Sequence, residues 1–75
     1  MKKYKIKLDC IKNVEEFVRR SNRCPFDVEI LYNKFIIDGK SILGLLSMDL
    51  SKCVEVECGG EDSELDLLLA KLSVQ

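Results

Sequence analysis

Asp27-Val28-Glu29-Ile30-Leu31-Tyr32-Asn33-Lys34-Phe35-Ile36-Ile37 is the stretch that decides the fold. Val28, Ile30 and Tyr32 alternate with Asp27 and Glu29, the period-two pattern of a strand with one buried face. Asn33-Lys34 suits a tight turn, and Phe35-Ile36-Ile37 supplies a second β-rich run directly after it. The segment therefore predicts a β-hairpin, and with it an antiparallel sheet.

Downstream, residues 39–50 read Gly-Lys-Ser-Ile-Leu-Gly-Leu-Leu-Ser-Met-Asp-Leu. Ser41 fits the N-cap of a short helix, because its oxygen accepts a bond from an otherwise unpaired N–H of the first turn. Ile42, Leu43, Leu45, Leu46, Met48 and Leu50 are more apolar groups than one face of so short a helix can bury. Part of that surplus is expected at the surface, where it marks a contact site. Cys53-Val54-Glu55-Val56-Glu57-Cys58 alternates again and predicts a strand with Val54, Val56 and Cys58 inward. Gly59-Gly60 ends it, and Glu61, Asp62, Ser63 and Glu64 load acid into the start of a helix with an apolar stripe of Leu65, Leu68, Leu69 and Leu72.

Upstream, Tyr4, Ile6 and Leu8 alternate with Lys5 and Lys7 as another strand. Ile11, Val14, Phe17 and Val18 recur at helical spacing, with Glu15, Glu16, Arg19 and Arg20 off that stripe. The helix is predicted from near Cys10 to near Asn22, since Pro25 disfavours helical geometry before it. Early glutamates and late arginines suit its dipole. The order is β-α-β-β-α-β-α within one domain, residues 1–75. Apolar faces on all four strands imply an α+β, two-layer, open-faced sandwich: a four-stranded antiparallel sheet covered on one face by three helices.

The composition narrows the function. A net charge of −1 argues against nucleic acid as a partner, which would favour a basic face. No apolar run reaches the length of a membrane span, and the lysine-studded start Met-Lys-Lys-Tyr-Lys-Ile-Lys-Leu has no signal-peptide core. Of the four cysteines, Cys53 and Cys58 face opposite sides of one strand, and Cys10 and Cys24 bracket a helix that separates them by roughly 20 Å. Reduced thiols in a cytoplasmic protein are the expectation. With no histidine and no C-x-x-C, neither a metal site nor a cofactor is expected.

Lys40-Ser41-Ile42-Leu43-Gly44-Leu45-Leu46-Ser47 resembles the segment around the regulatory serine of HPr, the histidine-containing phosphocarrier of the bacterial sugar phosphotransferase system. Residues 27–33 resemble that family's second strand and turn, and Val54-Glu55-Val56 with Gly60-Glu61-Asp62 its last strand and final helix entry. The resemblance implies the same fold. It also implies phosphorylation of Ser41 by an HPr-kinase-like enzyme, with Lys40 beside the phosphate. Ile42, Leu43, Leu46 and Ser47 match the docking positions for an enzyme I-like protein, the kinase or a transcriptional regulator. The departure is at the active centre. Counting back from Ser41 places Cys10 at the family's histidine, Lys12 at its arginine and Asn13 at its proline, so phosphohistidine chemistry has no carrier in this chain.

Three readings follow. The first is a non-catalytic, HPr-like regulatory or adaptor protein, not an enzyme, which binds proteins through residues 41–48 and is switched at Ser41 in sugar-transport or carbon-catabolite regulation. The second uses Cys10 as a phosphoryl carrier or redox-sensing thiol, since a thiol at a helix start beside Lys12 is biased toward thiolate. The third is a structural domain that self-associates through Ile42, Leu43 and Leu46. Arg19, Arg20 and Arg23 are expected either as a solvated face or as a basic rim beside the docking patch.

Overall fold

The computed structural model describes residues 2–74. Its elements are β1 (Lys2–Ile6), α1 (Ile11–Asn22), β2 (Val28–Tyr32), β3 (Phe35–Asp38), α2 (Ile42–Leu46), β4 (Val54–Cys58) and α3 (Ser63–Leu72). The strands form one antiparallel sheet in the order β1-β4-β2-β3. The predicted β-α-β-β-α-β-α sandwich is the fold observed. Asn33 takes a φ of 54° at the hairpin turn, a left-handed conformation that asparagine tolerates better than most residues.

Register explains which side chains make the core. Tyr4, Val56, Ile30 and Ile37 form one cross-strand row, and Lys5, Glu55, Leu31 and Ile36 form the neighbouring row on the opposite face. The first row faces the helices, and the core beneath them gathers Ile6, Val28, Ile30, Val54, Val56 and Cys58 from the sheet with Val14, Phe17, Leu45, Leu65, Leu68 and Leu69 from the helices. The other face is open and charged.

Local chemistry sets the helix ends. Asp62 caps α3, its carboxylate accepting from the Leu65 N–H at 2.9 Å. Glu64 and Asp66 then lie in the first turn, where the dipole favours acid. Tyr4 donates its hydroxyl to Asp66 at 2.9 Å and so ties β1 under α3. Several expectations are corrected. The first turn of α1 holds no acid, because Glu15 and Glu16 fall in its second turn. Ile11, placed by periodicity on the buried stripe, is the first residue of α1 and 59% exposed; burial in the helix begins one turn later, at Val14. Cys53 lies outside β4 and is exposed, whereas Cys58 is buried; both cysteines are free, as are Cys10 and Cys24.

Two of the three arginines are drawn toward α3 and not into a rim beside α2, while Arg19 is exposed. Arg20 reaches Glu64 at 2.7 Å and Glu16 at 4.0 Å, and Arg23 reaches Glu64 at 3.6 Å, so both turn toward the start of α3. No helix among the described residues is long and apolar enough to cross a membrane.

Candidate functional site

Gly39 begins the path from the hairpin to α2. Its N–H donates to the Val28 carbonyl at 2.7 Å, and a Cβ here would lie 2.8 Å from that same oxygen and 3.2 Å from Phe17. Only glycine lets the chain pass so near the core. Asp38 then organises the approach: its carbonyl accepts from the Ser41 N–H, and its carboxylate from the Lys40 N–H.

Ser41 is the N-cap of α2, as its sequence position predicts. Its Oγ accepts from the Gly44 N–H at 3.2 Å, and its carbonyl accepts from the Leu45 N–H at 3.1 Å. Lys40 is engaged elsewhere than expected. Its ammonium donates to the Cys24 carbonyl at 2.9 Å, so it pins the α1–β2 loop and is not held toward Ser41.

The apolar surplus of residues 42–50 divides as expected. Leu45 is fully buried and Met48 nearly so, while Leu43 is 79% exposed, Leu46 41% and Ile42 39%. Ser47 is exposed, but its hydroxyl donates back to the Gly44 carbonyl at 2.6 Å, which leaves its oxygen lone pairs as the free acceptor. After α2, Asp49 folds the chain by accepting from the Ser51 N–H and hydroxyl, bonds that hold its carboxyl below the usual range. The Tyr32 hydroxyl accepts from the Asp49 N–H at 3.3 Å and fastens this corner to β2.

Helices α1 and α2 pack together. At one end the Asn22 amide donates to the Lys40 carbonyl at 3.1 Å, and at the other the Asp9 N–H donates to the Leu50 carbonyl at 2.9 Å. The two helices therefore run antiparallel. Ser41 sits beside the C-terminal end of α1, and Cys10 sits beside the chain that leaves α2. A twelve-residue helix spans about 18 Å, so Cys10 and Ser41 occupy opposite ends of one face.

Cys10 is the exposed N-cap of α1, and its side chain makes no capping bond. Before it, Asp9 has a φ of 69°, and the Cys10 N–H returns to the Leu8 carbonyl at 2.9 Å. This is a tight γ-turn with a positive central φ, the rare and strained form. Asn13 holds the same turn by donating its amide to the Leu8 carbonyl at 2.6 Å. Lys12 is exposed.

No family model matches the chain, and no curated protein matches it. Solved structures do. HPr-C-His from Thermoanaerobacter tengcongensis superposes with a TM-score of 0.77 at 20% identity, over 97% of this chain and 91% of that one. The fold is that of HPr. Crh, the catabolite repression protein of Bacillus subtilis, superposes with a TM-score of 0.67 at 25% identity, over 93% of this chain and 88% of its own. The crystal structure of Crh is a domain-swapped, intertwined dimer. On this HPr fold, Ser41 and the exposed α2 side chains lie at one end of α1 and the exposed Cys10 at the other.

Proposed function

We propose that the chain is a non-catalytic, HPr-like regulatory or adaptor protein that binds protein partners through the exposed face of α2. The observation that carries this reading is the partition within α2: Leu43 and Leu46 stand in solvent beside a leucine that is fully buried. Exposed leucines grouped on one short helix resemble a contact patch more than scattered surface apolarity. The partner classes are an HPr-kinase-like enzyme, an enzyme I-like protein or a transcriptional regulator, in a cytoplasmic setting of sugar-transport or carbon-catabolite control.

Ser41 is the proposed switch. The γ-phosphoryl of ATP passes to Ser41 Oγ, releasing ADP and the hydroxyl proton, and leaves a dianionic group at the start of α2. Asp38, three residues earlier, opposes that charge. The phosphate would draw Lys40 away from the Cys24 carbonyl to balance it. Phosphorylation would thus reshape the entry to α2 and change which partner the patch accepts.

The test is titration of the ¹⁵N-labelled chain with a representative of each partner class, before and after incubation with ATP and an HPr kinase. Shifts centred on Ile42, Leu43, Leu46 and Ser47 that a Leu43→Asp change abolishes are expected for at least one partner. Absence of such shifts with all three sinks the docking role. An unchanged intact mass after kinase treatment sinks the Ser41 switch alone.

One observation favours a second reading. Strained backbone concentrates at functional turns, and the Asp9 γ-turn presents an exposed, uncapped Cys10. In this reading the Cys10 thiolate takes a phosphoryl group from a phosphohistidine donor, forming an S–P bond as the donor imidazole leaves. Phosphoenolpyruvate and enzyme I would then add one phosphoryl group that Cys10→Ser prevents; an unmodified wild-type chain removes this reading.

A further inference from the structure

The two edges of the sheet are treated differently. At the β1 edge, the Val74 N–H donates to the Lys5 carbonyl at 3.0 Å and the Lys7 N–H to the Leu72 carbonyl at 3.1 Å, with a bridge between Ile6 and Ser73. Lysines at 2, 3, 5 and 7 add charge to the same strand and its exit. Covering and charging an edge are the usual ways to stop it pairing with another chain. The β3 edge has no such cover among the described residues, and it carries Phe35 and Ile36, each 66% exposed.

Which backbone groups that edge offers follows from the ladder. The Gly39 N–H bonds the Val28 carbonyl, so Phe35, Ile37 and Gly39 turn their backbone groups toward β2. Ile36 and Asp38 point theirs outward. A second observation concerns charge. One cross-strand row of the open face runs Lys3, Glu57, Glu29, Asp38. Lys3 pairs with Glu57 at 3.3 Å, but Glu29 and Asp38 have no cationic side chain within ion-pair distance among the described residues. Carboxylates directly opposite one another on a sheet are unfavourable. The row stops at the open edge, where a cation is wanted.

We propose that β3 pairs antiparallel with β3 of a second copy of this chain, continuing the sheet across a two-fold axis. Only registers that keep each residue's face are allowed, so the axis passes through a residue paired with itself. Centring it on Ile36 places Ile36 against Ile36, with two reciprocal backbone bonds, and Phe35 against Ile37 of the second copy on the helix side. The same register puts Lys34 opposite Asp38 of the second copy, twice, and supplies the cation that ends the acidic row. A shift of two residues one way opposes Lys34 to Lys40, and the other way to Ile36. Charge therefore selects the Ile36-centred register. The contact exchanges no element between the copies and uses none of Ile42, Leu43 or Leu46, although Ser47 borders Phe35 and Ile37 across a shared groove.

Sedimentation velocity over a concentration series tests this, with circular dichroism confirming that each variant is folded. Wild type is expected to show a reversible monomer–dimer equilibrium that Ile36→Lys abolishes by placing two ammonium groups on the axis. Lys34→Asp and Asp38→Lys should each raise the dissociation constant about tenfold through the two lost pairs. The double change, which restores opposite signs, should bring it back to within about threefold of wild type. A wild-type chain that stays monomeric at about 1 mM overturns the proposal. So does a dimer indifferent to Ile36→Lys, as a swapped dimer would be, or one dispersed instead by Leu43→Asp.

Discussion

Leu43 and Leu45 lie two positions apart in a five-residue helix, and the structure gives them opposite fates. Leu45 is fully enclosed between α1 and the sheet, whereas Leu43 is 79% exposed. Full burial of a leucine side chain is worth about 1.5–3 kcal/mol. Leu43 hides only about a fifth of its surface, so truncation to alanine removes about 0.3–0.6 kcal/mol, part of it offset by alanine's slightly better helix propensity. Leu45→Ala loses the whole transfer term and leaves a cavity, about 2–5 kcal/mol in total. For a domain of this size each kcal/mol moves the melting temperature by about 4–8 °C. Urea unfolding followed by far-UV circular dichroism should show Leu43→Ala within about 0.5 kcal/mol of wild type. Leu45→Ala should lose a large part of a total stability of about 5–15 kcal/mol, with an unchanged m-value. Equal losses for the two variants would refute the partition of α2 on which the docking surface rests.

Ser41→Ala removes the acceptor for the Gly44 N–H and should cost about 0.5–2 kcal/mol, while Ser41→Asp, an equally good N-cap, should retain most of it; thermal melts of the three proteins compare them directly. Ser21 is fully buried in α1 with its Oγ unpartnered among the described residues, so Ser21→Ala should stabilise by about 0.5–2 kcal/mol, read as a rise in melting temperature. Burial pushes the Cys58 thiol from an ordinary value of 9.0 up to about 11. Its folded value lies above its unfolded one, so the stability it contributes is intact below pH 9 and falls as pH rises toward 11, which urea midpoints across that range should show. In the native protein at pH 8, iodoacetamide should modify Cys10 and Cys53 well before Cys24 and Cys58.

The strands were legible because each presents a single apolar face. Val28 and Ile30, and Val54 and Val56, alternate without interruption, and the Asn33-Lys34 turn fixes how two of the strands meet. Helix α3 was legible for the same reason, four leucines on one stripe with an acid cap. The errors lie at ends and in long side chains. Periodicity assigns Ile11 to the buried stripe of α1, but burial in the helix begins only at Val14, one turn later. Arg20, Arg23 and Lys40 carry flexible stems, and their partners Glu64 and the Cys24 carbonyl come from segments 16 to 44 residues away in sequence. No local pattern encodes such a pairing. The strained turn at Asp9 was hidden too, since an aspartate before a helix reads equally well as an ordinary loop residue.

The ties that hold α2 also limit what can change there. Gly39 threads past Val28 and Phe17, Asn22 holds the Lys40 carbonyl, and Tyr32 and Asp49 close the far end. Leu45 and Met48 root the helix in the core. A five-residue helix has too few internal bonds to persist alone, so its position comes from these outside contacts. Its solvent face can therefore vary while its place in the fold stays fixed, which is the property a recognition surface needs. Most of the fixed contacts made by residues 38–41 use backbone atoms, the exceptions being the carboxylate of Asp38, the ammonium of Lys40 and the Oγ of Ser41. A phosphoryl group on Ser41 would act on all three together, with the Gly44 cap bond the first to be disturbed. With such a group in place, the charge of this corner would bear on the start of α2, and Ile42 and Leu43, the first two residues after the cap, are the exposed side chains it would move most.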